Sequence, residues 1–334
     1  MIFVTGGTGL VGSHVLLKLA QQSKEFKALK RESSSLDVCK RIFSYYNSDD
    51  LFVKINWVNG DVNDIPSLEE GMKDCNFLIH CAGIVSFSPS DIKLLQKVNI
   101  EGTQNIMNVA LVSGIKKVGF ISSIAALGRN STFGLVDEEC YFQATKKDSN
   151  YAHSKYFSEQ EVWRASAEGL DVVIVNPSVI LGPGDWTRGS SKIFQRIFNG
   201  LIFYTEGSTG YVDVSDVAES IIQLLFSDIK NERFIVSGAN LKYRDCFDRI
   251  AVALGKQKAT IKVTPFLKEI AWRFQAIRYL ITGIAPLITK ETANSSMIRH
   301  SFSNAKIEKK IGFKFTDIDI TIKKYANWFI SDHL

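Results

Sequence analysis

"IFVTGGTGLVGSH", residues 2–14, runs from four residues of strand character into glycines at 6, 9 and 12. "IFVT" (2–5) reads as a short buried strand. Segment 9–22 places Val11, Val15, Leu16, Leu19 and Ala20 on one helical face. A strand, a G-x-x-G-x-x-G turn and a helix in immediate succession point to nucleotide binding. The turn must be tight, the backbone must approach a pyrophosphate, and the helix must pack closely on the strand. The helix start then offers free N–H groups and a positive dipole end to the anion. Gly6, Gly9, Leu10, Val11 and Gly12 are the expected cradle.

The alternation continues beyond this unit. Further strands are expected at 26–30, 56–60, 77–83, 118–123, 171–178 and 233–238, with helical patterns at 91–113, 152–168 and 214–227 between them. Such alternation implies an α/β fold, a doubly wound parallel (Rossmann) sheet of about seven strands. Residues 179–210, rich in glycine and aromatics, and 239–334, mostly helical, break the pattern. They are expected to form a smaller, substrate-binding lobe, leaving 1–178 plus 211–238 as the dinucleotide-binding domain.

The 334 residues carry 40 basic and 35 acidic side chains, and the net charge of +5 reads as spread along the chain. Its basic runs are too short to imply a nucleic-acid or membrane partner. The segment 266–288, interrupted by Lys268, Glu269, Arg273 and Arg278, fails as a membrane span and reads as an amphipathic helix facing the core. A membrane-surface helix is the minority reading. Five scattered cysteines without Cys-x-x-Cys spacing suggest free thiols in a reducing compartment. The chain starts on its first strand without a leader, so a cytoplasmic location is expected. His14, His80, His153, His300 and His333 match no metal-site spacing, and no metal is expected.

Chemistry is concentrated in "SNYAHSK" (149–155), where Tyr151 and Lys155 stand four apart on one helix face. "GDVND" supplies Asp61 after the third strand, and "HCAG" (80–83) ends the fourth. "NIEGT" carries Asn99, "ISSIAALG" (121–128) ends the fifth strand with paired serines, and "NPSVILGPG" (176–184) ends the sixth. In this order the motifs resemble the extended short-chain dehydrogenase/reductase superfamily, the NAD-dependent epimerase/dehydratase family. "SSIAALG" is most similar to its dihydroflavonol-reductase and hydroxysteroid-dehydrogenase branch.

The resemblance implies Tyr151 as proton donor or acceptor and Ser123 as its hydrogen-bonding partner, with Ser122 as the rival. It implies Lys155 on the nicotinamide ribose, and Asn99 supporting Lys155 through a water. A nearby ammonium lowers a phenol's pKa, so Tyr151 is expected below its usual value. Asp61 with Val62, then Cys81, Ala82 and Gly83, then Pro177, Ser178 and Val179 are implied cofactor contacts. Arg31, at the end of the second strand, stands where similar reductases carry an arginine. With Ser33 and Lys40 near it, NADP(H) is expected in preference to NAD(H). Helices 91–113 and 152–168 are implied to build a homodimer.

The implied activity is reduction of a carbonyl, or oxidation of a secondary alcohol, on a small to medium, partly apolar molecule. The alternatives are a sugar-nucleotide epimerase and a non-catalytic NADP-binding sensor. The acid pair of the family's dehydratases is missing from "IAALG", and Leu127 replaces the tyrosine usual in its epimerases. In "STGYVDVSD" (208–216), Thr209 stands where nucleotide-sugar enzymes of the family carry an arginine, so tight nucleotide-sugar binding is not expected. The lobe aromatics Trp186, Phe198, Phe203, Phe266, Trp272 and Phe274 read as mostly core.

Overall fold

The protein is described from a computed structural model covering residues 1–129, 134–145, 148–282 and 289–333. The strands that organise the site are β1 (Ile2–Thr5), β2 (Phe26–Lys30), β3 (Asn56–Asn59), β4 (Phe77–His80), β5 (Lys117–Ile121) and β6 (Asp171–Pro177). They are followed by β7 (Val179–Leu181), β8 (Ser208–Asp213), β9 (Glu232–Val236) and β10 (Ala239–Lys242). Seven of them form one parallel sheet in the order β9-β6-β5-β4-β1-β2-β3. All seven expected strands are present, within a few residues of their expected bounds. The direction of winding reverses between β1 and β4. In open α/β sheets a ligand crevice opens there, beyond the strand C-termini.

Burial explains the composition of the strands. The inner strand β5 is buried at every position and β6 at all but its first, while the edge strand β3 is not. One sheet face packs on α1 (Leu10–Gln21), α2 (Asp37–Tyr45) and α6 (Val214–Phe226), through Val15, Leu16, Phe43, Val217 and Ile221. The other packs on α3 (Ile65–Met72), α4 (Gly102–Val112) and α5 (Asn150–Ala167), through Phe3, Leu68, Met107, Val162 and Ala165.

The strand β8 pairs with β7 and β10 in a separate three-stranded sheet, so the expected boundary at 211 falls inside a strand. Beneath that sheet, α7 (Tyr243–Ala253) and α9 (Ile318–His333) enclose Trp186, Phe194, Tyr211 and Phe329. The long helix α8 (Pro265–Thr282) departs from expectation. Leu267, Trp272 and Tyr279 are half-buried, but Phe266, Ile270, Phe274, Ile277 and Ile281 turn outward, and Phe203, Phe266 and Phe274 are exposed rather than core. Amphipathic periodicity defines an apolar face but not what covers it, and here little does. Residues 283–288 of the same expected helix lie outside the described residues. No described helix is long and apolar enough to cross a membrane.

Candidate active site

The glycine loop has three distinct requirements. Gly6 has φ +71°, and a Cβ there would meet the backbone of Ala82 at 2.5 Å. A Cβ on Gly12 would stand 2.1 Å from the Gly6 carbonyl oxygen, so that residue sets how closely α1 approaches the turn. Gly9 is different, because a Cβ there would meet only the Gly6 oxygen, at 3.4 Å. It is the N-cap of α1 and leaves the first-turn amides of Leu10, Val11 and Gly12 without a side-chain cap. Ser13 Oγ donates to the Gly7 carbonyl at 2.9 Å and holds the loop to the helix. A glycine at the helix start with open space before it fits a pyrophosphate.

Ser149 caps α5, its hydroxyl accepting from Ala152 N at 3.0 Å. That start puts Tyr151 on the first turn and Lys155 one turn further on. Ser123 lies beside the Tyr151 hydroxyl, and its Oγ accepts from Ala125 N at 3.1 Å. Lys155, 5% exposed, donates to the Ile121 carbonyl at 2.9 Å and lies 4.6 Å over the Phe120 ring. Burial lowers its pKa to about 8, against the opposing pull of Glu159. Burial pushes the Tyr151 phenol up, with the Ser123 hydrogen bond opposing. Burial is the larger effect, so the net shift is upward and not the expected depression. Tyr151 is therefore held as the neutral phenol, a proton donor.

Asn99 is buried within a π-helical turn (Gln96–Glu101) that precedes α4. Its Nδ2 donates to the Ile84 carbonyl at 3.0 Å and to Ser154 Oγ at 2.9 Å, and its Oδ1 accepts from Ile84 N at 2.8 Å. Its carbonyl accepts from Thr103 Oγ1 at 2.5 Å and Ser158 Oγ at 2.7 Å. These direct bonds tie the loop after β4 to α5, one residue before Lys155. Behind it, Thr103 Oγ1 donates to Asn99, so it accepts from His80 Nε2 at 3.0 Å. His80 Nδ1 then accepts from Thr5 Oγ1 at 2.7 Å, and Thr5 in turn from Ala82 N at 3.4 Å. Burial lowers the His80 pKa to about 3, so the ring stays neutral in this chain of bonds.

The other expected contacts lie at or just beyond the C-terminal ends of the sheet strands. Cys81 and Ala82 are half-buried and Gly83 exposed just beyond β4, where Cys81 N donates to the Thr5 carbonyl at 3.1 Å. Asp61 follows β3, its Oδ1 accepting from Asn63 N at 2.9 Å, and Val62 is buried against Gly102. Pro177 and Ser178 are buried and Val179 half-buried beyond the β6 core, with Ser178 turned against Gly210. Arg31, Ser33 and Lys40 are exposed at and beyond the end of β2.

Several residues escaped sequence reasoning. Glu159, 1% exposed, accepts from Ser122 Oγ at 2.6 Å, Asn176 Nδ2 at 2.8 Å, Arg233 Nη1 at 3.2 Å and Trp163 Nε1 at 3.4 Å. Its signal was available, because it stands four residues beyond Lys155 on the same helix face. Asn176 also donates to the Ser123 carbonyl at 3.0 Å, fixing the backbone of the serine on Tyr151. Phe87 meets the Tyr151 ring edge-on at 5.6 Å, and Phe142 stacks on Tyr156 at 4.7 Å. Neither had a sequence signal, since both lie in irregular segments. Thr209, 6% exposed, is hydrogen-bonded to Tyr243.

The family model described as "NAD dependent epimerase/dehydratase family" matches residues 2–236. The chain is 28% identical over 334 residues to "Putative dihydroflavonol 4-reductase" of Synechocystis sp., covering 98% of this chain and 94% of that protein. It is 25% identical over 270 residues to the UDP-glucose 4-epimerase of Vibrio cholerae, covering 76% of each. Among solved structures it is similar to gox2253, with a TM-score of 0.82 and 28% identity over 99% of this chain and 98% of that one. The UDP-glucose 4-epimerase of Thermotoga maritima, solved with UDP-glucose, gives 0.78 at 19% identity over 100% and 99%, a likeness of fold alone.

Proposed function

The chain belongs to the NAD dependent epimerase/dehydratase family, an enzyme family of extended short-chain dehydrogenases/reductases, and on that premise we propose that it is an NADP(H)-dependent carbonyl reductase. In reverse it oxidises a secondary alcohol. The substrate is small to medium and partly apolar.

The observation that carries this reading is the Tyr151 hydroxyl set beside Ser123, with Lys155 buried one turn along the same helix. A dinucleotide held by the glycine turn would supply the hydride. Tyr151, a neutral phenol, gives its proton to the carbonyl oxygen, and Ser123 donates a hydrogen bond to that same oxygen. Lys155, fixed by the Ile121 carbonyl, stands where an ammonium favours the phenolate left behind. Asn99 holds the loop carrying Ile84 against α5 and so keeps the crevice in register. Gly6, Gly9 and Gly12, with the amides of Leu10 and Val11, would hold the pyrophosphate. Exposed Arg31 would take a 2′-phosphate.

Phe87 beside Tyr151 supports an apolar substrate. Burial of Thr209 against Tyr243 supports the absence of a diphosphate contact at that position, and so a reductase over a sugar-nucleotide epimerase. The homodimer on α4 and α5 belongs to the same proposal.

A turnover panel of ketones, aldehydes and secondary alcohols with NADPH and NADP+ tests the activity. Net cofactor oxidation or reduction supports it. Isomerisation of a UDP- or dTDP-sugar without net cofactor change would make the chain an epimerase, and binding without turnover across the panel would make it a sensor.

A further inference from the structure

The helix α8 carries Phe266, Ile270, Phe274, Ile277 and Ile281, which are 75%, 49%, 64%, 56% and 78% exposed. At 3.6 residues per turn they fall within an arc of about 80°. They form one continuous stripe rather than scattered surface residues. Arg273 borders it on one side and Arg278 on the other. The inward side of the helix meets Lys290–Ser295, where Lys268 Nζ donates to Asn294 Oδ1 at 2.7 Å. Immediately before α8, Ile261 pairs with Phe203 in a two-residue ribbon, and these two residues and Ile202 are also exposed.

Charge decides what such a face can meet. From Lys256 to Thr282 the chain carries six basic residues (Lys256, Lys258, Lys262, Lys268, Arg273 and Arg278) and one acidic residue, Glu269. That surplus of five equals the net charge of the whole chain, +5. This segment is therefore net basic, although Lys262 within it is paired with Glu206 at 3.7 Å. Glu269 itself is paired with Lys268 at 3.0 Å and with Arg273. Two copies meeting stripe to stripe would set these surpluses against each other, which opposes self-association. An apolar stripe edged with arginine on a helix that cannot span a bilayer is the pattern of a helix lying in a membrane interface.

We propose that α8 docks the protein on an anionic lipid surface, with the stripe in the acyl boundary and the surrounding cations on the headgroups. This reverses the expectation of no membrane partner and is independent of the catalytic reading. The test is co-sedimentation of the full chain with vesicles of phosphatidylcholine alone and of phosphatidylcholine mixed with phosphatidylglycerol. Binding to the mixed vesicles is expected, weakened in phosphatidylcholine alone and by raised salt. Lys258→Ala is expected to weaken it about fivefold, the equivalent of about 1 kcal/mol per cation. The double variant Phe274→Glu, Ile277→Glu should abolish it while leaving the circular-dichroism melt unchanged, since both side chains are exposed. Failure to bind mixed vesicles, or equal binding to both kinds, would overturn the proposal. So would a dimer in light scattering that the double variant dissociates, which would assign the stripe to a second copy.

Discussion

Ser122 Oγ donates to the buried carboxylate of Glu159 at 2.6 Å, which turns Ser122 away from Tyr151 and leaves Ser123 on it. The two serines therefore differ in kind. Ser122→Ala is expected to cost about 1.5–3 kcal/mol of stability, as the loss of a hydrogen bond to a charged group does. Turnover should persist. Ser123→Ala should do the reverse, with a near-normal urea midpoint and a large fall in kcat. Equal loss of activity in the two variants would contradict the assignment.

Tyr151→Phe removes the phenolic proton and little else. Dinucleotide affinity should stay close to wild type while kcat falls about 10²–10⁴-fold, the usual contribution of a positioned acid. Fluorescence titration of NADPH alongside steady-state rates separates the two. A near-wild-type kcat would remove Tyr151 from the mechanism.

The Lys155 pKa of about 8 lies below the ordinary lysine value of 10.5 because burial disfavours the ammonium. Between these values the unfolded chain holds more protons than the native one, so native stability rises with pH across that window. Below pH 8 the buried charge costs about 3 kcal/mol. Lys155→Met is therefore expected to be stabilised relative to wild type at pH 7. That advantage should shrink by roughly 2–3 kcal/mol by pH 10. Urea unfolding of both proteins at the two pH values measures this, and a gap independent of pH would show that Lys155 titrates normally.

Arg31→Ala should weaken NADPH about ten- to a hundredfold, from loss of a charge-assisted hydrogen bond of roughly 1.5–3 kcal/mol. NADH should change little, because the contact is to the 2′-phosphate. Calorimetric titration of each cofactor decides it. Equal weakening, or a wild type that already prefers NADH, contradicts the NADP(H) assignment.

Gly12→Ala would place a methyl 2.1 Å from the Gly6 carbonyl oxygen. Backbone on both sides leaves nothing flexible to yield, so α1 must move off the turn. Dinucleotide binding should fall by at least tenfold, with a lowered melting temperature, whereas Gly9→Ala should spare the melt and still lose binding. A Gly12→Ala protein that binds normally would show that the turn tolerates the shift.

Residue pattern by itself determined the sheet, the glycine turn and the pairing of Tyr151 with Lys155. Each depends on local periodicity: alternation of strand and helix, spacing within one turn, and residues four apart sharing a helix face. Which serine faces Tyr151 was decided only by tertiary structure. Ser122 and Ser123 are equivalent neighbours in sequence, and the difference lies in Glu159 and Asn176, 37 and 54 residues beyond Ser122 in the chain. The same holds for Asn99, whose partners Ile84 and Ser154 come from either side of it in sequence. It holds most plainly for α8, where periodicity marked an apolar face and packing left it uncovered. A side chain's period is a property of its own segment, whereas its burial depends on what the rest of the chain brings against it.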